Sequence, residues 1–189
     1  VFVDLDIKPL PALTAWLTGE SYHVKRFINQ QMKNKLAEIL KKEEFDIVQM
    51  ESIFLTPYVP LVRKLSKAKI VLRSPNVENM IWKRTYKATK NPLKRYYLKH
   101  LALTLEYYEK ENINQYDAIF PVTDVDANYF IENGYRKLCK AVAVGIETPE
   151  FIPDVLEEEN SIFHIGSMNW FPNAPPSNRK RCNSSYRSI

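Results

Sequence analysis

The residues best suited to chemistry fall in one stretch, Lys69 to Glu78, KIVLRSPNVE. Arg73, Ser74, Asn76 and Glu78 follow directly on the apolar run Ile70-Val71-Leu72. A guanidinium there can bind a phosphate or orient Glu78. In open α/β sheets ligands bind beyond the carboxyl ends of the strands, where loops hold polar groups over a rigid sheet. A polar cluster at a strand tip is therefore a candidate site. The plainer alternative stays open: Arg73 and Glu78 also read as a surface pair at the start of a helix. A second polar tip, Glu51-Ser52, follows the run Phe45 to Met50, FDIVQM. Glu51 can accept a hydrogen bond from a hydroxyl.

Several other chemistries find no residues. The chain has only four glycines, and neither a Gly-x-Gly-x-x-Gly nor a P-loop occurs. Cys139 and Cys182 are far apart, and His23, His100 and His164 are isolated. No metal-binding spacing results, and a reducing compartment is the simplest reading. No apolar run is long enough to span a bilayer, and no signal peptide opens the chain. The net charge of +5 is unevenly spread. Between Asn79 and Leu105 there is no acid, whereas Lys83, Arg84, Lys87, Lys90, Lys94, Arg95 and Lys99 are all basic. Such a face attracts phosphates, whether of a membrane surface, a nucleic acid or a pyrophosphate-bearing substrate; a solvated helix face is the alternative.

The elements that would position these groups alternate. Val1 to Ile7 reads as a strand ended by Pro9 and Pro11, followed by a helical turn at Ala12–Thr18 with Trp16 packed inward. One apolar stripe from Val24 to Leu40 predicts a single helix over His23–Lys41, with Lys41 and Lys42 suited to its C-terminal end. FDIVQM is a short buried strand. Thr56-Pro57 reads as a cap and first position of the next helix, and Lys69–Arg73 is the next strand. Asn76 opens a helix to about Ala88, and Asn91-Pro92 opens another to about Asn114. A strand at Asp117–Val122 precedes a helix capped by Thr123 or Asp124 and closed at Asn133-Gly134. Lys140–Val144 is a further strand. The alternation predicts a parallel sheet with right-handed crossovers, with Ile47, Val71, Ile119 and Val142 buried in neighbouring strands. Beyond it, residues 151–160 read as an acidic, proline-containing linker and Ser161–Ile165 as a new strand. Residues 175–189, PPSNRKRCNSSYRSI, form a tail too polar to pack.

FDIVQMES, PYVPLVRKLSKAKIVLRSPNVENMIWKR, PLKRYYLKHLALTLEYYE, YDAIFPVTDVDANYF, VAVGIETPEF and SIFHIGSMNWFPN occur in that order. As a series they resemble glycosyltransferase family 4, retaining nucleotide-sugar enzymes of the GT-B fold, at members that build surface polysaccharide. The resemblance covers most of residues 45 to 173. It implies that residues 1–150 are a partial Rossmann-like acceptor domain, that VAVGIETPEF is the crossing point, and that 161–174 are the first strand and loop of a donor domain. The chain departs from the family in three places. The family's first strand and glycine loop are missing, Pro75 stands where a histidine usually precedes the asparagine, and Ala174-Pro175-Pro176 breaks the helix expected after Asn173. The family's Glu-rich donor-binding motif is missing too. These departures predict an incomplete or frame-altered enzyme.

By the same resemblance Glu51, Arg73, Asn76 and Glu78 are the catalytic candidates. Thr123, Gly145, Gly166 and Ser167 are the substrate-binding ones, with the backbone amides of Gly166 and Ser167 near the donor diphosphate. No metal and no cofactor are expected, the nucleotide sugar being a co-substrate. The expected partners are that donor, a lipid-linked or glycan acceptor and an anionic membrane at the cytoplasmic face, with self-association and without nucleic acid. A non-catalytic module that holds a phosphorylated or lipid-linked glycan or an anionic surface is the competing reading. A nucleic-acid binder is a third, which the lack of any recognisable motif disfavours.

Overall fold

The computed structural model describes residues 9–145, of which those up to Val144 belong to one compact unit. The expected strand at Val1–Ile7, the linker, the strand at 161–165, Gly166, Ser167 and the tail lie outside the described residues. Helix α1 (Pro9–Thr18) takes both prolines in its first turn, where their missing N–H and fixed φ cost nothing. Trp16 is 39% exposed rather than packed inward, its ring edge-on to His100 at 6.2 Å.

The single helix expected over His23–Lys41 is two. Helix α2 (Tyr22–Lys25) ends early, and α3 (Gln30–Lys42) begins after Asn29, whose side chain accepts the Met32 N–H. A tertiary contact makes the break. The Tyr58 hydroxyl donates to the Phe27 carbonyl at 2.6 Å and accepts the Asn29 N–H at 3.0 Å. Phe27 meanwhile stacks on Phe54 with ring centres 4.9 Å apart. The apolar stripe is continuous in sequence, but this buried phenol claims the backbone between its halves.

Strand β1 (Ile47–Met50) leads into a 3-10 turn, Ile53–Tyr58, and then α4 (Val59–Leu65). Thr56 does not start the helix: Ser52 caps the turn, and Pro57 lies inside it. The Thr56 hydroxyl is buried, donating to Ile53 O at 2.6 Å, and so takes the proton of the Tyr116 hydroxyl, also at 2.6 Å. Strand β2 (Lys69–Ser74) follows, then α5 (Glu78–Ala88), α6 (Pro92–Asn112) and a 3-10 turn, Ile113–Gln115. The chain then gives β3 (Ala118–Pro121), α7 (Asp124–Glu132) and β4 (Leu138–Cys139).

The four strands are parallel and stand in chain order, β1-β2-β3-β4. Helices flank them, giving a Rossmann-like α/β unit. Leu72 is opposite Met50 on one side and Ile119 on the other, so these three share a face. With Ile70, Tyr58, Val62, Tyr116 and Phe130 they form the main core. Val71 and Ile119 are buried as expected, but Ile47 is 59% exposed. Strand β1 is an edge among the described residues, and its outer residues have no strand beside them. Val142 is exposed too, because the last strand sits at Leu138–Cys139 and not at Lys140–Val144. Only the backbone follows on there, with Val142 N–H donating to Pro121 O at 2.7 Å.

Helix α6 carries two apolar stripes. Leu98, Leu101, Ala102 and Leu105 are buried, with Leu98 and Leu101 in a second cluster with Ala15 and Tyr22 and against Trp82 and Tyr86. Leu93, Tyr96, Leu103 and Tyr107 are exposed, and at 100° per residue they point the opposite way.

Candidate functional site

The carboxyl ends of β1, β2 and β3 bring together part of the polar set. Arg73 Nη1 lies 2.8 Å from Glu51 Oε2, joining the tips of neighbouring strands. Gln49 donates to the other carboxylate oxygen. The bond from Arg73, then that from Gln49, holds the Glu51 carboxyl below its ordinary range. Both side chains remain exposed to solvent. The guanidinium thus orients Glu51 and not Glu78, as the sequence had suggested. An exposed pair like this adds little stability, but it presents a fixed carboxylate beside a cation at a sheet tip.

Beyond β2 the chain turns sharply, Ser74 Oγ donating to Asn76 O at 2.7 Å. Asn76 itself is exposed and does not cap α5. Val77 stands in the cap position with no side-chain acceptor, and Glu78 is the first helical residue. Glu78 is half-buried, and that burial raises its carboxyl above the usual range. Thr123 does what its sequence position predicted. Its oxygen accepts the Asp126 N–H at 3.1 Å and its proton goes to Asp126 Oδ2 at 2.8 Å, fixing the first turn of α7. Gly145 is exposed with open space on the side where a side chain would stand; nothing in its surroundings requires glycine.

The start of α5 and the start of α7 face each other across a cleft of about 200 Å³. Asn76, Arg84 and Asp126 supply its polar groups, and Val77, Met80, Ile81, Val125 and Tyr129 its apolar walls. Sequence reasoning had found Asn76 but neither Arg84 nor Asp126 as lining residues, because the two helices that meet here are separated by α6.

Behind the cleft is a polar corner that the sequence reading missed. Asn79 on α5 is fully buried, and Glu109 on α6 is 3% exposed. Glu109 accepts the Asn79 backbone N–H at 3.2 Å and a second bond from its side-chain amide. That amide also donates to the Tyr129 hydroxyl at 2.7 Å. Burial, then the nearby Glu78 and Glu106 carboxylates, push Glu109 up to about 7 against the pull of the Asn79 bonds. One signal was available: a glutamate at 109 falls in register with Leu98, Leu101, Ala102 and Leu105, on the face that must be buried.

Among the described residues no group of three or more His, Cys, Asp or Glu could hold a metal ion, and no helix is long and apolar enough to cross a membrane. No family profile matches the chain, and neither a curated protein nor a solved structure shows a detectable similarity to it.

Proposed function

We propose that the chain is the acceptor side of a retaining, nucleotide-sugar-dependent glycosyltransferase of surface polysaccharide synthesis, and that this unit alone transfers no sugar. One observation carries the reading: a parallel sheet whose first three strand tips gather Glu51, Arg73, Asn76 and Thr123 around one end, beside the α5/α7 cleft. The ordered resemblance of residues 45 to 173 supports it. In such a transfer the glycosidic bond to the departing nucleoside diphosphate breaks as the acceptor oxygen bonds the anomeric carbon. The acceptor proton goes to a base or to the leaving oxygen. Positive charge or helix N-termini near the phosphates assist departure. The described unit offers one wall of that reaction, with Glu51 as acceptor-hydroxyl partner. The nucleotide contacts belong to the other wall, so donor affinity should be weak here.

Calorimetric titration of the chain separates the outcomes. A lipid-linked or oligosaccharide acceptor should bind, with at least tenfold loss in Glu51→Ala or Asn76→Ala, while a panel of nucleotide sugars should not. Micromolar donor binding with product formation would show a complete enzyme. Absence of acceptor binding would remove the glycosyltransferase reading.

A second reading has its own observation. Lys94, Arg95 and Lys99 are exposed on the same helix as the exposed residues Leu93, Tyr96, Leu103 and Tyr107, a combination that suits contact with an anionic bilayer. Cosedimentation with phosphatidylserine vesicles should be weak and should vanish at high salt. Binding that ignores salt would refute an electrostatic contact.

A further inference from the structure

We infer that the α5/α7 cleft takes a single hydroxyl-rich ring, and that Tyr129 meets it as a hydrogen-bond donor beside Arg84 and Asp126. That the ring is one sugar unit of the acceptor rests on the acceptor-side reading above.

The donor role of Tyr129 is set from behind the cleft. Both carboxyl oxygens of Glu109 accept from Asn79, one from its backbone N–H and one from its side-chain amide. A carboxamide nitrogen carries two hydrogens. With the first held by Glu109, the second goes to the Tyr129 oxygen at 2.7 Å. That oxygen is therefore an acceptor toward the core, and its own O–H is unspent. Asn79 Oδ1 takes no bond, and among the described residues no other group accepts the Tyr129 proton. Burial raises the phenol to about 12, so it stays protonated. Tyr129 lines the cleft, and there its O–H finds room for an acceptor.

The other walls select the class of ligand. Among the described residues neither Arg84 nor the Asn76 side chain has a hydrogen-bond or ion-pair partner. Asp126 spends Oδ2 on the Thr123 hydroxyl and keeps Oδ1. An anion in the cleft would meet the Asp126 carboxylate, and a cation would meet the Arg84 guanidinium. A hydroxyl both donates and accepts, so a ring bearing several answers the guanidinium, phenol, carboxamide and carboxylate together. Val77, Met80, Ile81 and Val125 give its C–H faces an apolar surface. A volume of about 200 Å³ suits one substituted six-membered ring, since a cavity of about 150 Å³ holds benzene.

The test is an NMR titration of the full chain with methyl glycosides of hexoses and N-acetylhexosamines, reading the methyl groups of Val77, Met80, Ile81 and Val125. Inorganic phosphate is the competing probe. At least one glycoside should move these methyls and leave those of Ile47, on the edge of β1, in place. Tyr129→Phe should weaken that binding about three- to tenfold, the worth of one neutral hydrogen bond. Arg84→Met, at an exposed position that leaves the core untouched, should weaken it about tenfold or more. Unchanged affinity in Arg84→Met, or in a folded Tyr129→Phe, would overturn the inference. So would phosphate moving the same methyls at lower concentration than any glycoside. An oligosaccharide acceptor that loses affinity in Glu51→Ala but ignores Tyr129→Phe and Arg84→Met would keep the acceptor reading and remove this cleft from it. If neither glycoside nor oligosaccharide binds, both fall.

Discussion

Two buried titratable side chains set opposite limits on the pH at which this chain is stable. The His23 ring lies against Trp82, tilted by 35° with ring centres 4.0 Å apart; burial, then the Arg26 charge, lower its pKa from 6.5 to about 4. Its stabilisation is present above about 6.5 and is lost as pH falls toward 4. Glu109 works the other way. Its folded value of about 7 exceeds the ordinary 4.5, so its contribution is complete below 4.5 and is lost as pH rises to 7. Between 4.5 and 6.5 the two slopes oppose each other and the melting temperature should vary little. Glu109→Gln should uncover the His23 slope, so that thermal denaturation followed by circular dichroism shows a steady loss from pH 6.5 to 4. The loss is on the order of 3 kcal/mol, from about 1.4 kcal/mol per pKa unit. A flat profile in that variant would mean that His23 is not buried as described. Glu51 and Arg73, by contrast, are exposed, and a double-mutant cycle on them should give a coupling below about 1 kcal/mol.

At the scale of single elements, the caps are the most direct stability test. The side chains of Asn91 and Thr123 accept the Lys94 and Asp126 N–H groups. Asn91→Ala and Thr123→Ala should each cost about 1 kcal/mol in chemical denaturation. Val77→Ser should change little through capping, since Glu109 already serves that end of α5. Both caps were legible from sequence, as was the left-handed close of α7 at Gly134, where φ is 97°, because each depends only on residues a turn away. Strand β2 and the α5 and α6 pair were legible for the same reason, through local period and proline placement. What was not legible depends on distant partners. Tyr58 splits α2 from α3 across 29 to 31 residues of sequence. Thr56 looks like a cap but is drawn inward by Tyr116. Arg73 finds Glu51 on the next strand and leaves Glu78 alone. The corner at Asn79, Glu109 and Tyr129 needs three helices in place before any of its bonds exists.

The molecule as a whole exposes Ile47 on an edge strand and Leu93, Tyr96, Leu103 and Tyr107 along α6, surface that invites association. Sedimentation velocity should show concentration-dependent association, reduced by Tyr96→Asp with Leu103→Asp; a monomer at every concentration would show that these residues attract nothing. The strand order has a different consequence, for the chain as it is synthesised. Among the described residues each strand pairs with the one made just before it, so none of these four has to leave a gap for a later one of them. The slow step is then the β2–β3 pairing, because residues 75–117 must emerge and fold into α5 and α6 first. Ribosome-stalled chains long enough for Ser74 to have cleared the tunnel should already protect β1 amides facing β2 from hydrogen exchange, whereas amides of β2 facing β3 should gain protection only once residue 121 has cleared it too.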